Sequence, residues 1–196
     1  MGFALRVPCG VIVAITPFNY PLLLVAHKVG PALASGNVVI LKPARQTPLT
    51  ALKFSKLLNE AGLPINALQC ITGSGERMGA ALCADSRVRK ITFTGSTVVG
   101  EVITRVAGIK KVSLELGSNS ALVILPDADL AKVAEATAVG GFVNAGQVCI
   151  STQRVLAHRK IYADFLDALK GAVNRIKVGD PMAEDTRLGA MISAKE

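Results

Sequence analysis

The sequence holds no tryptophan, and aromatic residues of all kinds make up 4% of its 196 positions. Apolar residues reach 51% and charged ones 18%. That balance excludes a disordered chain, and the core has to be built from Val, Ile, Leu and Ala. Histidine is limited to His27 and His158. Neither has a Ser or Cys partner that the pattern places beside it, so Ser/His and Cys/His hydrolases find no support. Long basic runs are missing as well. The net charge is +8, but Lys and Arg are scattered and not interleaved with aromatics, which argues against nucleic acid. A phosphate-bearing ligand would need only a few of them.

The four cysteines are Cys9, Cys70, Cys83 and Cys149. Their spacing matches neither a zinc pattern nor a small disulfide scaffold, so free thiols in a reducing compartment and no metal site are expected. An unbroken apolar run is lacking too. Residues 10–26, GVIVAITPFNYPLLLVA, are interrupted by Pro17, Asn19, Tyr20 and Pro21. They are too broken for a membrane span and too long for a signal-peptide core. Met1-Gly2 is followed by Arg6 rather than Ser or Thr, which excludes myristoylation. The expectation is a soluble cytoplasmic chain with no membrane partner.

What is present alternates. Strands are predicted at Val11–Thr16, Asn37–Lys42, Ala67–Thr72, Val88–Thr94 and Lys111–Leu116. Helices are predicted at Pro21–Ser35, from Pro48 to about Ala61 with Thr47 as its cap, at Gly75–Ala84 and at Ser96–Ala107. Such spacing implies right-handed βαβ units and a doubly wound parallel sheet, an α/β cofactor domain over residues 1–116. The pattern then restarts. Ala121–Leu125 reads as a strand, Asp129 caps a helix to about Asn144, Thr152–His158 is a strand and Tyr162–Ile176 an amphipathic helix. Residues 117–196 thus form an incomplete second α/β domain, with too few elements to cover its apolar faces.

Ligands of open α/β sheets bind at the carboxyl ends of strands. Three segments fall there: ITPFNYP (15–21), LKPARQTP (41–48) and FTGSTVVG (93–100). Gly95, Ser96 and Thr97 offer N–H groups at a helix start, suited to a phosphate or equally to a plain Ser-capped turn. Gly100 permits close packing or ligand approach. The dinucleotide fingerprint G-x-G-x-x-G is absent after the first strand, and Gly73, Gly75 and Gly79 only approximate it. Lys42 is either a ribose or phosphate contact or a solvated strand end. Asn19 is either an oxyanion donor or an Asx-turn residue. Glu115, between Leu114 and Leu116, is either a general base of raised pKa or an edge carboxylate paired with Lys110 or Lys111. Cys149 follows Asn-Ala-Gly-Gln in FVNAGQVC. It is a candidate nucleophile, although most cysteines are buried hydrophobes.

Taken in order, PFNYP, KPARQTP, FTGSTVVG, LELGSNS and FVNAGQVC resemble the aldehyde dehydrogenase superfamily, and the resemblance covers essentially the whole chain. It implies a Rossmann-like domain followed by the beginning of a catalytic domain, in an internal fragment of a longer homo-oligomeric parent. The implied reaction is NAD(P)-dependent oxidation of a small aldehyde to a carboxylic acid. Cys149 would attack the aldehyde, Asn19 and the Cys149 N–H would hold the oxyanion, and Glu115 would activate water. Thr16, Pro17, Phe18 and Asn19 would face the cofactor from the first loop. Lys42 and Arg45 would address the adenosine ribose, with Gly75 and Gly79 nearby. Gly95, Ser96 and Gly100 would take the diphosphate, and Glu115 and Leu116 would close the nicotinamide end. Two departures stand out. Ser118 replaces a usual glycine. Arg45 stands where NAD-preferring members often carry Glu, so NADP is expected to be tolerated. The alternatives are acyl transfer to coenzyme A and a non-catalytic nucleotide-binding module.

Overall fold

The β-branched run VIVAI forms β1 (Val11–Ile15), the central strand of a five-stranded parallel sheet in a computed structural model that describes residues 2–196. The remaining strands are β2 (Val38–Lys42), β3 (Leu68–Cys70), β4 (Val88–Thr94) and β5 (Lys111–Glu115), in the order β3-β2-β1-β4-β5. That order is doubly wound, and the strand order reverses between β1 and β4. The connecting helices are α1 (Leu23–Ala34), α2 (Pro48–Glu60), α3 (Ala80–Ala84) and α4 (Thr97–Ala107).

Strand alternation sorts the side chains onto two faces. Ile12, Ala14, Val39 and Leu41 pack with Val25 and Val29 of α1 and Ala51 of α2. Val13, Ile91 and Phe93 pack on the other side with Cys83 and with Ile103 of α4. Asn37 fastens α1 to the sheet. It is buried, accepts from the Gly10 N–H at 3.0 Å and donates to the Ala32 carbonyl at 3.0 Å. Gly36, at φ 77°, makes the left-handed turn between them.

The chain divides after Leu116, and Gly117–Glu196 makes a second compact unit. Its strands β6 (Ala121–Ile124) and β7 (Arg154–Ala157) pair in parallel. Helices α5 (Leu130–Phe142) and α6 (Tyr162–Asn174) meet through Ala134, Ala138 and Ala172. Asp129 caps α5, accepting from the Lys132 N–H at 3.2 Å. Val123, Leu125, Val139, Ile150 and Leu156 remain exposed. Among the described residues, no helix is long and apolar enough to cross a membrane.

Several predicted boundaries move. α1 starts at Leu23, because residues 20–22 form its entry turn without a side-chain cap. Thr47 makes no cap bond to α2. Its hydroxyl donates instead to the Phe18 carbonyl at 3.3 Å, tying two strand-end loops together. The segment predicted as one helix at 75–84 opens with a π-helical turn, Gly75–Gly79, before α3. α5 stops at Phe142, two residues early, because Asn144 and Ala145 take left-handed φ values of 51° and 58°.

Candidate active site

The register of the first sheet brings its carboxyl ends into line: Ile15 is opposite both Lys42 and Phe93, and Thr94 is opposite Glu115. The ladder continues past the strands, with the Thr16 N–H donating to the Lys42 carbonyl at 3.2 Å and the Gly95 N–H to the Glu115 carbonyl at 3.0 Å. Thr16, Pro17, Phe18, Asn19, Lys42, Gly95 and Glu115 therefore share one edge of the sheet. Thr16 and Thr94 are buried there, and their hydroxyls have no hydrogen-bond partner. A buried unpaired hydroxyl is costly, so these two positions call for a polar ligand.

Lys42 is buried at 4% exposure, not a solvated strand end. Its Nζ donates to the Pro43 carbonyl at 3.2 Å, and burial lowers its pKa below 10.5. It lines a cavity of about 390 Å³ with Gly75, Gly79, Phe93, Val99 and Val102. A Cβ added at Gly75 or Gly79 would meet nothing within 4 Å, so both glycines leave open space beside Lys42. The imperfect Gly73–Gly79 pattern thus contributes to this cleft through its glycines' lack of side chains. The walls are apolar apart from Lys42 and Glu76, which fits a flat heterocycle carrying a polar sugar.

Gly95 and Gly100 sit in closer packing than Gly75 and Gly79. A Cβ at Gly95 would fall 2.4 Å from Phe93 Cζ, and one at Gly100 would fall 2.7 Å from Leu116 Cδ2. A side chain at either position would have to displace that neighbour. Ser96 caps α4, accepting from the Val99 N–H at 3.4 Å. Arg45 is exposed just beyond β2. The Asn19 Oδ1 accepts from the Tyr20 N–H at 3.1 Å, which fixes the plane of an amide whose Nδ2 is its donor end.

Glu115 is exposed, which corrects the expectation that Leu114 and Leu116 enclose it. Adjacent strand residues point to opposite faces. Both leucines pack on the Val13 and Ile91 side of the sheet, while Glu115 shares the α1 side with Thr92. Its charge acts on Lys28, a residue the sequence pattern did not single out. Lys28 is buried at 7% exposure and donates to Thr92 Oγ1 at 3.2 Å. Burial lowers its pKa to about 8, the Glu115 charge pulls it back up, and Lys90 lowers it further. The available signal was a lysine three residues after Val25 and four before Ala32, inside the apolar stripe of α1.

A pH test follows. Folded Lys28 releases its proton near pH 8, while the unfolded chain holds it to about 10.5. Between these values the unfolded state binds more protons, so this group makes stability rise with pH. Denaturant titrations from pH 7.5 to 10.5 are expected to show the parent gaining on the order of 1–3 kcal/mol relative to Lys28→Met. A difference between the two that stays constant with pH would remove this account of Lys28.

The loop that carries Cys149 belongs to the second unit. After α5, Asn144, Ala145 and Gly146 are all left-handed. The Gln147 N–H donates to the Asn144 carbonyl at 3.1 Å, and Gln147 Oε1 accepts from the Ile192 N–H at 2.9 Å. Cys149 follows and is exposed, whereas Cys83 is buried and Cys9 and Cys70 are half-buried. Burial pushes the Cys70 and Cys83 thiols up. The Cys149 carbonyl accepts from the Ser118 hydroxyl.

Comparison with known proteins agrees with this architecture. The family model for the aldehyde dehydrogenase family matches residues 1–196. A protein named 3-sulfolactaldehyde dehydrogenase from Priestia aryabhattai is 53% identical over all of this chain, which spans 41% of that relative's length. An NAD-dependent aldehyde dehydrogenase from Sinorhizobium meliloti superposes with a TM-score of 0.94 at 37% identity, over 96% of this chain and 38% of that one. An NADP-dependent enzyme from E. coli gives 0.94 at 39% identity, over 96% and 40%. With a doubly wound sheet, a cleft at its carboxyl edge and a family match from end to end, the chain belongs to the aldehyde dehydrogenase family.

Proposed function

We propose that the protein containing this chain oxidises an aldehyde to a carboxylic acid with NAD or NADP, using Cys149 as nucleophile. The observation that carries this reading is that Cys149 is the exposed thiol of the four, in a loop of amide and glycine residues. The unit ending at Leu116 is the cofactor-binding domain, and Gly117–Glu196 begins the catalytic domain. Cys149 attacks the carbonyl carbon as a thiolate and forms a thiohemiacetal. Asn19 Nδ2 and the Cys149 N–H stabilise its oxyanion. The nicotinamide cofactor, when bound, supplies the hydride acceptor. Glu115 takes a proton from the water that cleaves the resulting thioester. Its presence favours hydrolysis over transfer to coenzyme A, a route that needs no water-activating base.

The orphan Thr16 and Thr94 hydroxyls and the open space at Gly75 and Gly79 support a nucleotide at the carboxyl edge. Lys42 would contact the adenosine ribose. Ser96 and the N–H groups that open α4 would hold the diphosphate. Val148 and Ile150 flank Cys149 and favour a small aliphatic chain on the aldehyde. 3-Sulfolactaldehyde, the substrate in the name of the 53% identical relative, carries a sulfonate and is the charged compound to assay against a neutral aliphatic aldehyde.

Arg45 provides the test of cofactor reading. A carboxylate there would bind a ribose 2′-hydroxyl and repel a 2′-phosphate, whereas Arg pairs with the phosphate. Such a bond is worth roughly 1.5–3 kcal/mol, or about one to two factors of ten in affinity. Aldehyde-dependent reduction of each cofactor is measured in the full-length protein. NADP is expected to be accepted, and Arg45→Glu to shift the kcat/KM ratio toward NAD by that factor. An unchanged ratio returns the assignment to NAD. No aldehyde-dependent reduction of either cofactor rejects the function.

A further inference from the structure

Ser118 stands where the family's glutamate motif usually carries glycine, and its hydroxyl has a defined place in the structure. It donates to the Cys149 carbonyl and lies 2.7 Å from Ser120 Oγ. A hydroxyl has one proton. Since Ser118 gives its proton to the carbonyl, Ser120 is the donor between the two serines. The result is a directed chain, Ser120 to Ser118 to the Cys149 carbonyl, in which each bond polarises the next.

The nucleophile loop is otherwise anchored at residues on either side of Cys149. The Ser151 N–H donates to the Val148 carbonyl at 3.0 Å. Its buried hydroxyl reaches the Gly140 and Gly141 carbonyls at 3.2 and 3.3 Å. The Thr152 N–H donates to the Gly140 carbonyl at 3.0 Å, and the Gln153 and Arg154 N–H groups to the Ser120 carbonyl at 2.9 and 3.1 Å. These bonds hold the flanks. The Ser118 bond acts on Cys149 itself, where it fixes the carbonyl and so restricts ψ of the nucleophile. A glycine at 118 has no side-chain donor to do this.

We propose that Ser118 is a positioning residue for Cys149. It acts through the Cys149 backbone and aims the thiol, with Ser120 orienting its proton. This rests on the reading of Cys149 as nucleophile. Ser118 is exposed, so its bond competes with water and adds little to folding stability. Its effect is on thiol placement, and that separates a positioning role from a structural one.

The experiment compares Ser118→Ala, Ser118→Gly and Ser118→Thr with the parent in the full-length protein. Iodoacetamide labelling of each cysteine is followed by mass spectrometry across a pH series, together with kcat, the cofactor KM and the thermal midpoint. Ser118→Ala and Ser118→Gly are expected to change the Cys149 labelling rate and lower kcat by roughly three- to tenfold, the factor one neutral hydrogen bond converts to. The cofactor KM, the labelling of the other cysteines and the midpoint stay near the parent's. Ser118→Thr retains the hydroxyl and restores both rates. Gly is the residue usual in the family, so that variant keeps the comparison valid if the Ala form folds poorly. Parent-like labelling and kcat in both Ala and Gly variants would overturn the proposal. So would a loss that follows the thermal midpoint and that Thr does not rescue. The labelling reads only the thiol, so turnover surviving in Cys149→Ala would reject the nucleophile without being mistaken for a failure at Ser118.

Discussion

Cys149→Ala is expected to abolish aldehyde oxidation in the full-length protein, while Cys9→Ala, Cys70→Ala and Cys83→Ala keep most of it. The reason is where each thiol sits. Cys83 is fully buried and packs with Val13 and Ile91, and Cys70 lies against the opposite core cluster. Burial holds both thiols in the neutral form, which is a poor nucleophile. Cys149 is exposed. Ala removes the only atom that forms the covalent bond, so no residual chemical route remains through this residue. Steady-state reduction of NAD or NADP by each variant measures it. Losses at Cys83 are to be checked against stability, since truncating a fully buried side chain opens a cavity. Turnover of Cys149→Ala at even a few per cent of the parent would end the covalent mechanism.

Glu115→Gln is expected to separate the two halves of the reaction. Acylation needs the thiolate and the cofactor, and hydrolysis needs a base for water. A positioned base contributes about 10²–10⁴-fold, so steady-state turnover is expected to fall by that factor. A rapid burst of reduced cofactor, stoichiometric with Cys149, then precedes the slow phase. Gln is near-isosteric with Glu, and position 115 is exposed, so the sheet is expected to stay intact. Stopped-flow absorbance resolves the phases. If Glu115→Gln showed no burst and turned over like the parent, another group would have to be the base.

The parallel sheet was legible because parallel strands are buried on both faces and read as continuous β-branched runs, as in VIVAI and NVVIL. Helix ends were less legible where backbone geometry, not composition, decides them. Asn144 and Ala145 leave the helical region with no Gly or Pro at either position. Thr47 precedes Pro48 as a cap should, yet a tertiary bond to Phe18 takes its hydroxyl. Glu115 was found, but its environment was misjudged. Neighbours in sequence are on opposite faces of a strand, and the group that matters, Lys28, is far away in the chain. A lone lysine in an apolar stripe carries little signal until the fold shows what it faces.

The three left-handed residues before Cys149 also bear on how this protein can change over time. For an L-residue that conformation costs on the order of 1–2 kcal/mol, and it is most hostile to branching at Cβ. Positions 144 and 145 therefore admit a narrow alphabet: Asn, Asp, Gly and, at some cost, Ala. Val, Ile and Thr are barred there although the loop is open to solvent. Surface loops normally drift freely. This one drifts only within the residues its backbone accepts, so variation near Cys149 is channelled to Val148 and Ile150, whose side chains can diversify without disturbing the turn that presents the thiol.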